Sequence, residues 1–169
     1  MLAEHQAEAA YPSSDPGVYY DTARRQLDHQ LESMNQLDAK VAALFGWSSG
    51  VITALVAILA LRAGAFHAAE LSLAALSFTA YAFVVAAALR HFWPQPVSIG
   101  PRLDQIWRDY WELNPRLIKW RIATHLVDAQ QHNQPLHTRK ARSLLAVLCA
   151  AAIQTVLLCA ALALVAGRA

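Results

Sequence analysis

Three stretches of this sequence carry no charged side chain, and their lengths decide its architecture. They are residues 41–61, VAALFGWSSGVITALVAILAL, residues 71–89, LSLAALSFTAYAFVVAAAL, and residues 144–166, LLAVLCAAAIQTVLLCAALALVA. A helix rises about 1.5 Å per residue, so about 20 apolar residues cross a hydrocarbon core of about 30 Å. All three meet that length, the alanine-rich 71–89 with the least to spare. The competing reading is three buried helices of a water-soluble bundle. It has to explain why the apolar residues gather in blocks instead of recurring in short periodic runs. Composition weighs against it: 15% of the 169 residues are charged and 56% are hydrophobic, whereas soluble domains are usually about 25% charged. The predicted fold class is an all-α integral membrane protein, with three transmembrane helices and amphipathic cytoplasmic helices extending from them.

The polar segments divide around these spans. Residues 1–17, with Pro12, Ser13, Ser14, Pro16 and Gly17, read as a flexible leader. The acidic residues in MLAEHQAEAAYPSSDPG stand where a signal peptide would be basic. Residues 18–40 place Tyr20, Leu27, Leu31, Met34 and Leu37 at helical spacing, which predicts a cytoplasmic amphipathic helix starting near Asp21 and running on into the first span. Residues 62–70 form the external loop, 90–143 a cytoplasmic helical loop and 167–169 a tail. Within 90–143, HFWPQPVSIGP is a proline-rich connection. Leu103, Ile106, Trp107, Tyr110 and Trp111 then form an aromatic stripe that either packs on the other cytoplasmic helix or lies on the bilayer surface. Asn114 before Pro115 predicts a helix start, and Pro135 a kink or interruption before the third span.

Charge sets the orientation. Of the fourteen lysines and arginines, all but Arg62 and Arg168 lie before the first span or between the second and third. Basic residues near span ends are retained in the cytoplasm. This predicts a multi-pass protein of the bacterial cytoplasmic (inner) membrane with its N-terminus inside and its C-terminus outside. The sequence pI of about 8.7 is then a property of cytoplasmic loops and does not predict nucleic-acid binding. Trp93, Arg139, Lys140 and Arg142 are expected at the membrane surface, the aromatic ring in the interfacial belt and the basic groups near anionic headgroups.

Within the spans, Gly46, Gly50 and Ala54 put three small residues on one helix face, a pattern that permits close helix approach and predicts a homo-oligomer. Ser49, Thr53, Gln154 and Thr155, together with Ser48, are polar groups at membrane depth. They are expected to face a lumen or to make interhelical hydrogen bonds. The spans contain no Asp, Glu, Lys, Arg or His, which argues against an ion-coupled transporter. Cys149 and Cys159 both sit in the third span, so no disulfide framework is expected. His125 and His132 lack the spacing of a helical metal pair, and no phosphate loop or nucleophile elbow is present. The expectation is no metal, no cofactor and no enzymatic activity.

Two stretches resemble a known family. In QLDAKVAALFGWSSG the residues Leu37, Asp38, Lys40 and Ala43, and in HNQPLHTRKARSLLAVLCAA the residues Asn133, Leu136, Lys140 and Leu144, are similar to segments that lead into the spans of the Pycsar membrane effectors and the related SLATT domains. The resemblance implies an antiviral effector that oligomerises in the inner membrane of bacteria when a nucleotide second messenger is made, and then impairs membrane integrity. Sensing of such a nucleotide would fall to a partner or to the cytoplasmic helices. The alternative is a non-enzymatic anchor or scaffold that docks a soluble protein through those helices.

Overall fold

A computed structural model describes residues 15–61, 67–102, 104, 106 and 114–166. The described residues form three helices, α1 (Pro16–Leu61), α2 (Ala68–Phe92) and α3 (Pro115–Ala166), and include no strand. Each helix contains a segment long and apolar enough to cross a membrane. The external-loop residues 62–66, the tail 167–169, residues 1–14 of the leader, and Leu103, Trp107, Tyr110 and Trp111 of the aromatic stripe lie outside the described residues. Of that stripe only Ile106 is described, and it is half-buried.

Two of the helices begin with the same short motif. At Asp15–Pro16 the aspartate side chain accepts from the Gly17 amide at 2.9 Å, and its carbonyl accepts from the Tyr19 amide at 3.2 Å. At Asn114–Pro115 the Asn114 side chain accepts from the Arg116 amide at 3.0 Å, as the sequence predicts. In each case the first residue caps an orphan amide, and proline follows at the one turn where its missing N–H costs nothing. The expected start near Asp21 is therefore corrected: Pro16 and Gly17 belong to the first turn of α1, because Asp15 is the cap. Helix α2 starts where Glu70 reaches back to the His67 amide at 3.3 Å, half of a capping box.

Pro135 lies inside α3 and does not end it. An interior proline removes one backbone hydrogen bond and costs roughly 3 kcal/mol, so side-chain contacts on either side of it must offset that loss. The chain divides into two compact units, one drawn from Met1–Leu31 and Val97–Gln134, the other from Glu32–Pro96 and Pro135–Ala169. In the first, Ala23 and Leu27 of α1 pack against Ala123, Leu126 and Ala129 of α3, and Tyr19 stacks on Trp120 with ring centroids 4.7 Å apart. In the second, Val41, Val84, Ala88, Val147 and Ala150 form one core cluster and Ile52, Leu55 and Ala74 another. These clusters draw on all three apolar segments.

Candidate functional site: polar residues on a heptad seam

On each helix one series of largely buried residues recurs every seven positions. On α1 they are Leu27, Met34, Val41, Ser48 and Leu55, and on α2 Glu70, Ser77, Val84 and His91. On α3, Leu126, Asn133, Val147, Gln154 and Ala161 are buried, and Lys140, with 17% of its side chain exposed, fills the remaining place in the series. A seven-residue repeat keeps one seam of a helix facing its neighbours over many turns. Apolar residues alone would suffice for that. Here seven of the fifteen positions just named are polar or charged, Ser48, Glu70, Ser77, His91, Asn133, Lys140 and Gln154, and polar residues on a coiled-coil seam fix register at a cost in stability.

In the unit holding the apolar segments these residues tie the helices together in layers. The Asp38 carboxylate of α1 accepts from Lys140 Nζ of α3 at 2.7 and 2.8 Å, and lies 2.8 Å from Nε2 of His91 at the end of α2. One carboxylate thus joins three helices. The His91 ring is fully enclosed, and its Nδ1 has no partner. A tautomer protonated on Nε2 donates to Asp38 and leaves only an acceptor unused, whereas a proton on Nδ1 would bury a donor with nothing to accept it. One turn before this layer on α1, Ser33 Oγ meets His137 Nε2 at 3.0 Å.

Deeper in the apolar segments, Gln154 of α3 donates through Nε2 to the Ser48 backbone carbonyl of α1 at 3.0 Å. Beside it Trp47 Nε1 donates to Thr155 Oγ1 at 3.2 Å, and Ser49 Oγ meets the Tyr81 hydroxyl of α2 at 3.1 Å. Gln154 is wholly enclosed within one chain, between α1 and α3. Ser48 Oγ, Ser77 Oγ and Gln154 Oε1 are buried without partners.

In the other unit, Asn133 clamps the loop after α2. Its Oδ1 accepts from the Ser98 amide at 2.9 Å and its Nδ2 donates to the Ser98 carbonyl at 2.7 Å. Gly100 follows at φ 103°, a backbone conformation that favours glycine. A Cβ there would lie 3.0 Å from Leu126 Cδ2, so the loop passes close over α3. Gln30 ties α1 to α3 through the Gln130 carbonyl and Gln134 Oε1, each at 3.2 Å.

The remaining sequence-predicted residues are placed on the outside. Gly46 and Gly50 have nothing within 4 Å of a built Cβ, and Ala54 and Thr53 beside them are exposed. Trp93 is 71% exposed, and Arg139 and Arg142 are exposed. Lys140 departs from the membrane-surface group in which the sequence places it. Residues 139 and 142 share a helix face while 140 points about 100° away, onto Asp38. The sequence reading weighed Asp38 through the family pattern, Asn133 through that pattern and as an extension of the apolar stripe on α3, and His91 only among the histidines for metal, and it did not single out Ser77. The seven-residue spacing would have found all but Asp38, had polar residues been admitted to the repeat. Among the described residues no three His, Cys, Asp or Glu side chains gather as a metal site. Comparison with protein-family models, with curated proteins and with solved structures finds no match.

Proposed function

We propose that this chain is an integral protein of the bacterial inner membrane, crossing it three times with the N-terminus inside and the C-terminus outside. We propose further that it is a small non-enzymatic effector of the Pycsar and SLATT kind, assembling to impair membrane integrity. The exposed apolar surface of three helices long enough to cross a membrane carries the membrane reading, and the hydroxyls within that surface are compatible with it. Every exposed hydroxyl in the apolar segments donates to a carbonyl of its own helix one turn back: Ser72 to Ala68, Thr53 to Ser49 and Thr79 to Ala75, at 2.8 to 2.9 Å. Half-buried Ser49 and Thr155 have the same bond, each at 2.9 Å. Hydrocarbon requires polar groups to be satisfied internally, and these bonds meet that requirement, although exposed Thr22 and Thr124 of the polar segments make the same bond. Between these hydroxyls stand exposed Leu76, Phe83, Leu145, Leu148, Ile153 and Val156, an apolar extent that monomeric soluble proteins rarely show.

The effector reading is supported by the family-like segments. Of the residues that carry the resemblance, Asp38, Asn133 and Lys140 are those that tie helix to helix or helix to loop. Assembly is supported by the open face of Gly46, Gly50 and Ala54 on α1, where a second helix can approach closely.

The test is membrane potential, read by dye fluorescence in cells expressing the protein with and without phage challenge. Wild type is expected to depolarise the membrane, most strongly after challenge, and Gly46→Leu/Gly50→Leu is not. Because nothing lies within 4 Å of either built Cβ, the leucines fit a single chain, and loss of depolarisation then reports loss of assembly. An undisturbed potential under every condition would leave the anchored scaffold as the reading. The self-contained core around Leu27, Ala123 and Leu126 favours that alternative, and recovery of one stoichiometric soluble protein through residues 102–142 would support it.

A further inference from the structure

An apolar groove of about 610 Å³ runs between α2 and α3, within the size range of ligand sites, about 300–1,000 Å³. Leu76 and Phe83 of α2 and Ala146, Cys149, Ile153 and Leu157 of α3 wall it. Thr79 also lines it, with its hydroxyl spent on the Ala75 carbonyl at 2.9 Å, so no polar side chain in the groove seeks a partner. From Ala146 to Leu157 the groove follows α3 for about 16 Å, close to half of a hydrocarbon core of about 30 Å. It is about as long as one leaflet is deep.

Both walls lead to arginine at the same end. On α3, positions 146, 149, 153 and 157 continue backward at steps of three and four to Arg142 and Arg139. On α2, positions 76, 79 and 83 continue forward through 87 to Arg90. The Ser143 hydroxyl donates to the Ala87 carbonyl at 3.4 Å, which sets Arg90 and Arg142 at the same level of the two helices. All three arginines are exposed, and none is in an ion pair among the described residues. Lys140, between two of them in sequence, is turned away to Asp38. The resulting surface is an apolar channel one leaflet deep with two to three unneutralised guanidinium groups at its mouth.

We propose that this groove binds one anionic phospholipid of the cytoplasmic leaflet, an acyl chain lying between α2 and α3 and the phosphate held by Arg90 and Arg142. The site rests on the membrane-spanning reading given above. Guanidinium matches phosphate oxygens in a fork that a zwitterionic headgroup, carrying its own cation, satisfies less well.

Native mass spectrometry of the chain in detergent, titrated with dioleoyl phosphatidylglycerol or dioleoyl phosphatidylcholine, tests it. Wild type is expected to retain one phosphatidylglycerol per chain with a preference of about tenfold or more, given two basic side chains near an anionic headgroup. Arg90→Gln/Arg142→Gln is expected to bring the two lipids to parity. Cys149 is exposed, so Cys149→Phe fills the groove without displacing core, and is expected to abolish retention of both lipids while Cys149→Ser keeps it. Equal retention by wild type, a preference that survives loss of both arginines, or a Cys149→Phe chain that loses self-association instead of lipid would overturn the site. The last result would mean that a second copy occupies the groove. Release of the chain from membranes by alkaline carbonate would overturn the spanning reading itself, and the lipid site with it.

Discussion

Asp38 accepts from Lys140 and from His91, so removing its carboxylate strands an ammonium that is 17% exposed and a ring that is wholly enclosed. Breaking a fully buried pair from one side costs about 3–5 kcal/mol, and the partial exposure of Asp38 reduces that here. We expect Asp38→Ala to lower stability by about 2–3 kcal/mol, since a charge is left without its partner, and Asp38→Asn to cost less because an acceptor for His91 survives. The double variant Asp38→Ala/Lys140→Met should recover part of the loss, because neither buried charge remains. Helix content followed through thermal unfolding in detergent measures all three. A double variant no more stable than Asp38→Ala would mean that the two groups do not compensate each other. The Gln154 layer differs in kind. Its bond to the Ser48 carbonyl is neutral, and Ser48 Oγ and Gln154 Oε1 stay unpartnered, a burden an aliphatic core would not carry.

At the scale of whole helices, the apolar segments were readable because an uncharged apolar run of about 20 residues, long enough to cross a membrane, is visible in any sequence. The ends were less so. Helix α2 runs from Ala68 to Phe92, past the apolar run at both ends, since Glu70, Arg90 and His91 continue the helix without being apolar. Pro16 was read as loop because proline usually breaks helices, yet after Asp15 it opens one. The seam was hidden for a related reason: a search for apolar periodicity passes over Lys140 and Gln154, although with Asn133 and Val147 they stand seven apart. Asp38, one of the first residues the family pattern singled out, lies off the seven-residue series of α1 and was legible only as part of that pattern. Pro135 gives the element its own prediction. Asn133 is clamped within one unit and Lys140 paired within the other, and Pro135→Ala should restore a backbone hydrogen bond and raise stability by about 1–3 kcal/mol. A fall in thermal stability would show instead that the neighbouring contacts depend on the proline's geometry.

For the whole molecule, the decisive asymmetry is that basic residues crowd the segments before the first span and between the second and third. Arg62 and Arg168 are the two exceptions. Moving a lysine or arginine across a bilayer is costly, so on the proposed membrane-spanning reading this bias keeps those segments inside. The interior of the spans does not oppose it, since no charged side chain occurs in residues 41–61, 71–89 or 144–166, and their exposed hydroxyls are satisfied by their own helices. On that reading orientation is set at the ends, where Arg139 and Arg142 are exposed before the third apolar segment. Single-cysteine chains test this, made by replacing Cys149 and Cys159 with alanine and introducing Asp128→Cys or Ala169→Cys. A membrane-impermeant maleimide applied to intact cells is expected to label Ala169→Cys and to reach Asp128→Cys, exposed on α3, only after the membrane is opened. Labelling of Asp128→Cys in intact cells would invert the topology, and would move the groove mouth and its arginines to the outer leaflet.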